Sequence, residues 1–156
     1  MPLEKAARLI LRKCMGLKPN ESCLIVSDGA IEEQIGEVLY KEAKKITKKV
    51  YPYATTIPDS HGKEPPKMLS DAMLRYYVAI LATTMSLSHT KARENASKRG
   101  VRIASMPGIT ADTMKRALNV DFSKIRRLNK QLTSKLKNKN KIKITTKKGT
   151  DIEFCT

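Results

Sequence analysis

Residues Thr83 to Thr110 read TTMSLSHTKARENASKRGVRIASMPGIT, and the order of patterns inside that run sets the fold class. Tyr77 to Ala82, just before it, is a short apolar run of the kind expected of a strand covered on both faces. Hydroxyl residues and a histidine follow, then Ala92 and Ala96 at helical spacing. After Gly100 a second apolar run, Val101 to Ser105, leads into Met106-Pro107-Gly108. Strand, loop, helix, strand in that order predicts parallel pairing, because the crossover helix carries the chain back to the same end of the sheet.

Ligands of open parallel sheets bind beyond the carboxyl ends of the strands, where loops and helix N-termini offer donors. Ser86, Ser88, His89 and Thr90 fall there. Ser88 is read as the N-cap of the following helix, with direct contact to a ligand or a domain partner as the other use of its hydroxyl. Arg93 is read as a surface cation, or as a bidentate holder of a carboxylate within two turns of the cleft.

Working outward, Leu3 to Met15 predicts a helix with Leu3, Ala7, Ile10, Leu11 and Cys14 inward, closed by Gly16 and Pro19. Ser22 to Ser27 predicts a central strand. Asp28-Gly29 then precedes a helix marked by Ile31, Ile35, Val38, Leu39, Ala43 and Ile46. Glu32 and Glu33 suit the positive end of its dipole and Lys44, Lys45 and Lys48 the other. Asp28 is expected to cap that helix or to face a cleft. Neither GxGxxG nor GxxxxGK[ST] is present, so phosphate binding by those routes is not predicted.

Lys49 to Ala54 predicts an edge strand, because Pro52 cannot donate to a ladder. Thr55 to Pro66 is a loop carrying His61, an exposed histidine by the simplest account and a general base or ligand by the other. Lys67 to Arg75 predicts a helix with Met68, Leu69, Ala72 and Met73 inward. Downstream, Ile109 to Leu118 predicts a short helix, and Phe122, Ile125, Leu128, Leu132 and Leu136 form a regular helical stripe. Ile142 to Thr146 and Asp151 to Phe154 alternate apolar and polar residues across Lys147 to Thr150, a β-hairpin.

The expected architecture is α/β: a three-layer domain with a mainly parallel four-stranded sheet, flanking helices and a C-terminal β-hairpin. Residues 1–138 are expected to form the α/β domain, with 139–156 the hairpin and the start of a missing second domain. The candidate cleft or substrate-facing residues are Asp28, Ser86, Ser88, His89 and Arg93; no catalytic residue or metal ligand is assigned.

The chain has 156 residues, with 31 basic and 15 acidic side chains and a net charge of +16. Residues 1–40 carry 5 basic and 6 acidic groups, 41–100 carry 12 and 5, and 101–156 carry 14 and 4. Such a surplus raises nucleic acid as a partner, and a basic binding module is the alternative function. The lysines from Lys135 to Lys148 have no interleaved aromatic residues for stacking bases, which favours a solvated surface. Cys14, Cys23 and Cys155 include no CxxC pair, against a disulfide framework or thiolate metal site. No run of 18 apolar residues and no signal-peptide pattern at Met1 to Lys5 is present, so a cytoplasmic protein with no membrane partner is expected.

Several segments resemble the aminopeptidase T and S family of metal-dependent, leucyl aminopeptidase-like exopeptidases. They are Gly16-Leu17-Lys18-Pro19 with Glu21-Ser22, Glu64-Pro65-Pro66, Ser86 to Arg93 (SLSHTKAR), Met106 to Thr110 (MPGIT) and Lys147 to Asp151. The likeness is to the N-terminal half of such proteins and covers nearly the whole chain. It implies the N-terminal domain of a peptide-cleaving hydrolase, as a fragment, truncated product or split half, walling the cleft and docking a C-terminal catalytic part. Zinc, cobalt or manganese ions and a peptide substrate would belong to the complete enzyme, and a homodimer stays open. No residue here matches the family's metal-ligand motifs, so this chain alone is expected to be inactive.

Overall fold

The structure, a computed structural model, describes every residue except Ala30, Glu32, Ile57, Pro58 and Thr156, together with the side chain of Glu33. The dipole role expected of Glu32 and Glu33 therefore lies outside the described residues. The chain separates into two compact units, Met1–Asn119 and Val120–Thr156.

In the first unit, four parallel strands form a sheet: β1 (Cys23–Asp28), β2 (Val50–Thr55), β3 (Val78–Ala82) and β4 (Arg102–Ser105), in the order β2-β1-β3-β4. The central pair are the two apolar runs, and Pro52 sits on the edge strand β2 opposite Ile25. Alternation along the strands feeds two cores. Cys23, Ile25, Val78, Ile80 and Ala82 pack on one face with α1 (Leu3–Leu9), α2 (Glu33–Lys44) and α5 (Ala111–Ala117). Leu24, Val26, Ala79 and Leu81 pack on the other with α3 (Lys67–Met73) and α4 (Lys91–Lys98). This is the three-layer α/β arrangement expected from the sequence. Ala92 and Ala96 are the buried side of α4, small enough to bring it close to the sheet.

Two inward assignments are corrected. The first helix does not stay α-helical to Met15: Ile10–Cys14 is a π-helical turn, in which the Met15 N–H donates to the Ile10 carbonyl at 2.8 Å. The extra residue in that turn rotates Cys14 out to solvent, and Met15 is buried instead. The turn is held from across the sheet. Arg102 donates to the carbonyls of Met15 (2.8 Å) and Gly16 (3.3 Å) and forks onto Glu21 at 3.2 and 2.5 Å. Gly16 has φ +58, which suits glycine in the reversal. In α3, Leu69 and Met73 face the core, whereas Met68 is 73% exposed.

The second unit contains α6 (Phe122–Leu136), capped by Asp121 through Ser123 N–H and Lys124 N–H, and the antiparallel hairpin β5 (Lys141–Thr145) and β6 (Asp151–Cys155). None of its described residues is buried. Among the described residues no helix is long and apolar enough to cross a membrane.

Candidate functional site

The strand order makes the chain step from β1 outward to β2, then back across β1 to β3. The carboxyl ends of β1 and β3 are therefore the topological switch point, where the two following segments part and a crevice opens in folds of this class. Here that crevice is clipped shut by protein groups. Asp28, last residue of β1 and 5% exposed, accepts the Thr84 N–H at Oδ2 (2.6 Å) and the Thr84 hydroxyl at Oδ1 (2.9 Å). Oδ1 also accepts the Ile31 N–H at 3.3 Å. Asp28 thus ties β1 to the loop after β3. Its Oδ1 bond to the Ile31 N–H also reaches the segment that leads into α2 (Glu33–Lys44).

The loop from Thr83 to Thr90 is laced to three other segments. Its Ser86 N–H donates to His61 Nδ1 at 2.9 Å and its Ser86 carbonyl accepts the Gly62 N–H at 2.8 Å. His61 is thereby a hydrogen-bond acceptor at Nδ1. Ser88 donates from its hydroxyl to Ser105 Oγ at the end of β4 (2.9 Å), and its N–H donates to Ser86 Oγ at 3.2 Å. Ser88 is therefore a tie between strand ends and not the helix cap. Thr90 caps α4, its Oγ1 accepting the Arg93 N–H at 3.2 Å.

Glu64 completes that helix terminus from another loop, taking the N–H groups of Lys91 (2.5 Å) and Ala92 (3.1 Å). A helix start leaves its first N–H groups without internal partners, and here a hydroxyl and a carboxylate fill them. Further along α4, Glu94 lies between Lys98 and Lys91, whose hydrogen bonds hold its carboxyl down at about 2.

Arg93 is half-buried, and its Nε donates to the Ser88 carbonyl at 2.7 Å. Among the described residues its two terminal nitrogens take no partner, so the outer edge of the guanidinium is oriented and open. His89 is exposed and its ring makes no hydrogen bond among the described residues. A separate cleft of about 510 Å³ lies beside β1, lined by residues that include Ser27, Asp28, Gly36, Tyr40 and Pro52. Of the five candidate residues only Asp28 reaches it. A Cβ at Gly36 would meet Ser27 Oγ at 3.6 Å, an ordinary van der Waals contact.

Sequence reading brought Ser86, Ser88 and Arg93 correctly into one loop–helix junction but missed Thr84, Glu64 and Ser105. Thr90, directly before the Ala92/Ala96 period, was the visible cap signal; Glu64 gives none, because it caps from 27 residues away. Among the described residues no three His, Cys, Asp or Glu side chains converge as a metal site.

No protein-family model matches the chain, and no curated protein matches it by sequence. In fold it is similar to 2,5-dihydroxypyridine dioxygenase from Pseudomonas putida KT2440, with a TM-score of 0.75 and 18% identity. The match covers 99% of this chain and 47% of that one, so the chain spans about half the dioxygenase's length. That likeness corrects the family assigned from SLSHTKAR and MPGIT: the fold neighbour is a dioxygenase, and nothing found supports an aminopeptidase or metallopeptidase, or the nucleic-acid-binding alternative. At this identity the likeness establishes the fold and leaves activity to the site.

Proposed function

We propose that the loops at the carboxyl ends of β3 and β4 form the ligand-facing wall of a two-part protein built like the dioxygenase, with Arg93 holding an oxygen-bearing edge of a small planar ligand. The observation that carries this is the Arg93 guanidinium, anchored at Nε by the Ser88 carbonyl at 2.7 Å with its outer edge open. A guanidinium fixed on one side is pre-organised to donate from the other, and paired N–H donors recognise oxygens with directional specificity. Ser86, Ser88 and His89 surround the same junction. The substrate in the dioxygenase's name is a dihydroxylated nitrogen ring, and its hydroxyl oxygens suit such a fork.

Oxygen insertion into such rings is chemistry that non-haem iron supports when two histidines and a carboxylate hold it on one face. The donors here do not fit that set. Asp28 is engaged by Thr84 and Ile31, His61 Nδ1 by Ser86, and no third donor joins His61 or His89 among the described residues. No reaction step is assigned to this chain, and in this proposal the metal ligands come from the complementary part of the architecture. We assign the protein to the cytosol, in keeping with its three free cysteines.

Calorimetric titration of the purified chain with 2,5-dihydroxypyridine tests the binding role. Loss of a charge-assisted bond costs about 1.5–3 kcal/mol, so Arg93→Ala should weaken binding by roughly ten- to a hundredfold. Arg126→Ala, in the second unit, should leave it unchanged. Equal affinity in wild type and Arg93→Ala, or no binding up to the solubility of the ligand, refutes the proposal.

A further inference from the structure

The second unit has an apolar surface and a charge surplus that its own fold does not use. Along α6, Ile125, Leu128, Leu132 and Leu136 form one stripe at 41%, 51%, 56% and 39% exposure. The hairpin register sets Ile142 opposite Phe154 and Ile144 opposite Ile152, so four apolar side chains share one face. Its other face is self-paired, Lys141 with Glu153 at 2.7 Å and Lys143 with Asp151 at 3.1 Å. Residues 120–156 contain eleven basic and three acidic side chains, a net +8. With Lys141 and Lys143 paired, nine cations remain: Lys124, Arg126, Arg127, Lys130 and Lys135 on α6 beside the stripe, and Lys137, Lys139, Lys147 and Lys148 beyond it. An apolar centre with a charged rim is the anatomy of a protein interface.

The charge and the backbone select the occupant. A second copy would bring +8 against +8. Nucleic acid would use the cations and leave the leucines wet. A bilayer would meet a two-stranded hairpin whose outer edges present unpaired backbone groups, which hydrocarbon cannot satisfy. An acidic protein surface meets all three features: it covers the apolar stripe, neutralises the rim, and can pair a strand with an open edge. We propose that α6 and the β5–β6 hairpin dock an acidic protein domain through the Ile125/Leu128/Leu132/Leu136 stripe and the Ile144/Ile152/Phe154 face. This deepens the two-part proposal and rests on it, because it names the chemistry of the second part and where that part sits on the second unit.

The test places the photo-reactive residue p-benzoylphenylalanine at Leu132, or at Ser134 on the opposite side of the same helix, in the full chain expressed in its own host. After irradiation the adduct is identified by mass spectrometry, and the captured protein is purified and titrated against the wild-type chain. The expected result is an adduct from position 132 and none from 134, to a protein with net negative charge. That protein should bind one-to-one, weaken as salt is raised, and lose about a hundredfold in affinity with Leu132→Lys or Leu128→Ser. Both substitutions fall on exposed positions, so neither should disturb folding. Equal adducts from both positions, an adduct to lipid, nucleic acid, a second copy or a protein without acidic excess, or no adduct, overturns the proposal. The Arg93 titration reads ligand binding on the first unit and the adduct reads docking on the second, so the failure of one is told apart from the failure of the other.

Discussion

Replacing Asp28 by alanine should cost the first unit about 3 kcal/mol. The carboxylate accepts the Thr84 N–H at 2.6 Å, the Thr84 hydroxyl at 2.9 Å and, weakly, the Ile31 N–H at 3.3 Å. Hydrogen bonds to a charged acceptor contribute roughly 1.5–3 kcal/mol each, and Thr84 is half-buried, so water recovers part of the loss and the lower end applies to its two bonds. For a unit of 119 residues, an unfolding entropy of about 2.1 cal/mol/K per residue converts 3 kcal/mol into a fall in Tm of roughly 12 °C. Asp28→Asn keeps one acceptor oxygen but sets an amide N–H against a donor, and should cost about 2 kcal/mol. Thr84→Val removes only the hydroxyl, at about 1 kcal/mol, and the double variant should cost less than the sum of its parts because the two groups share one bond. Urea denaturation followed by circular dichroism reads these as shifts of midpoint at constant slope. A stability for Asp28→Ala within about 0.5 kcal/mol of wild type would refute the clip. Asp28 would then be a group held ready for a ligand.

Three further outcomes concern Arg102, Glu21 and the cysteines. Arg102→Ala should destabilise by about 2 kcal/mol, discounted because the arginine side chain is 39% exposed, since it removes the cation from Glu21, which keeps the Lys18 N–H, and the side-chain donor from the Met15 carbonyl. The Arg102 hydrogen bond holds the Glu21 carboxyl below its ordinary value of 4.5. Its contribution is therefore full above that value and is lost as pH falls through it toward the folded value; the stability gap between wild type and Glu21→Gln should shrink on acidification, and a gap that widens contradicts the ion pair. Thiol labelling at about pH 8 should modify Cys14 and Cys155, which are exposed, and spare Cys23, whose thiol burial pushes up to about 12. Rapid labelling of all three would mean that β1 is not in the core.

The strands were legible because burial on both faces leaves a continuous apolar run, as in Leu24 to Val26 and Val78 to Ala82, and α4 because Ala92 and Ala96 keep helical period. What escaped was set by contacts distant in sequence. The π turn depends on Arg102, 87 residues from Met15, and nothing local marks Cys14 as rotated outward. Ser88 and Thr90 are both good caps by type; the choice went to Thr90 because Ser105 and Ser86 engage Ser88. The α6 stripe was legible as a helix, but periodicity reports an apolar face and not what covers it. The family assignment failed for a related reason. In SLSHTKAR, Ser86, Ser88, Thr90 and Arg93 tie a loop to its neighbours, so the motif marks a loop architecture, and proteins with different chemistry share architectures.

The most direct measurement is a map of backbone and arginine Nε–H chemical shifts as 2,5-dihydroxypyridine is added to the isotope-labelled chain. The account predicts that the largest changes fall on Arg93 Nε–H and on Ser86, Ser88 and His89, with the second unit unmoved. Changes centred on Gly36 and Tyr40 in the cleft beside β1, or spread over the lysines of residues 120–156, would contradict it.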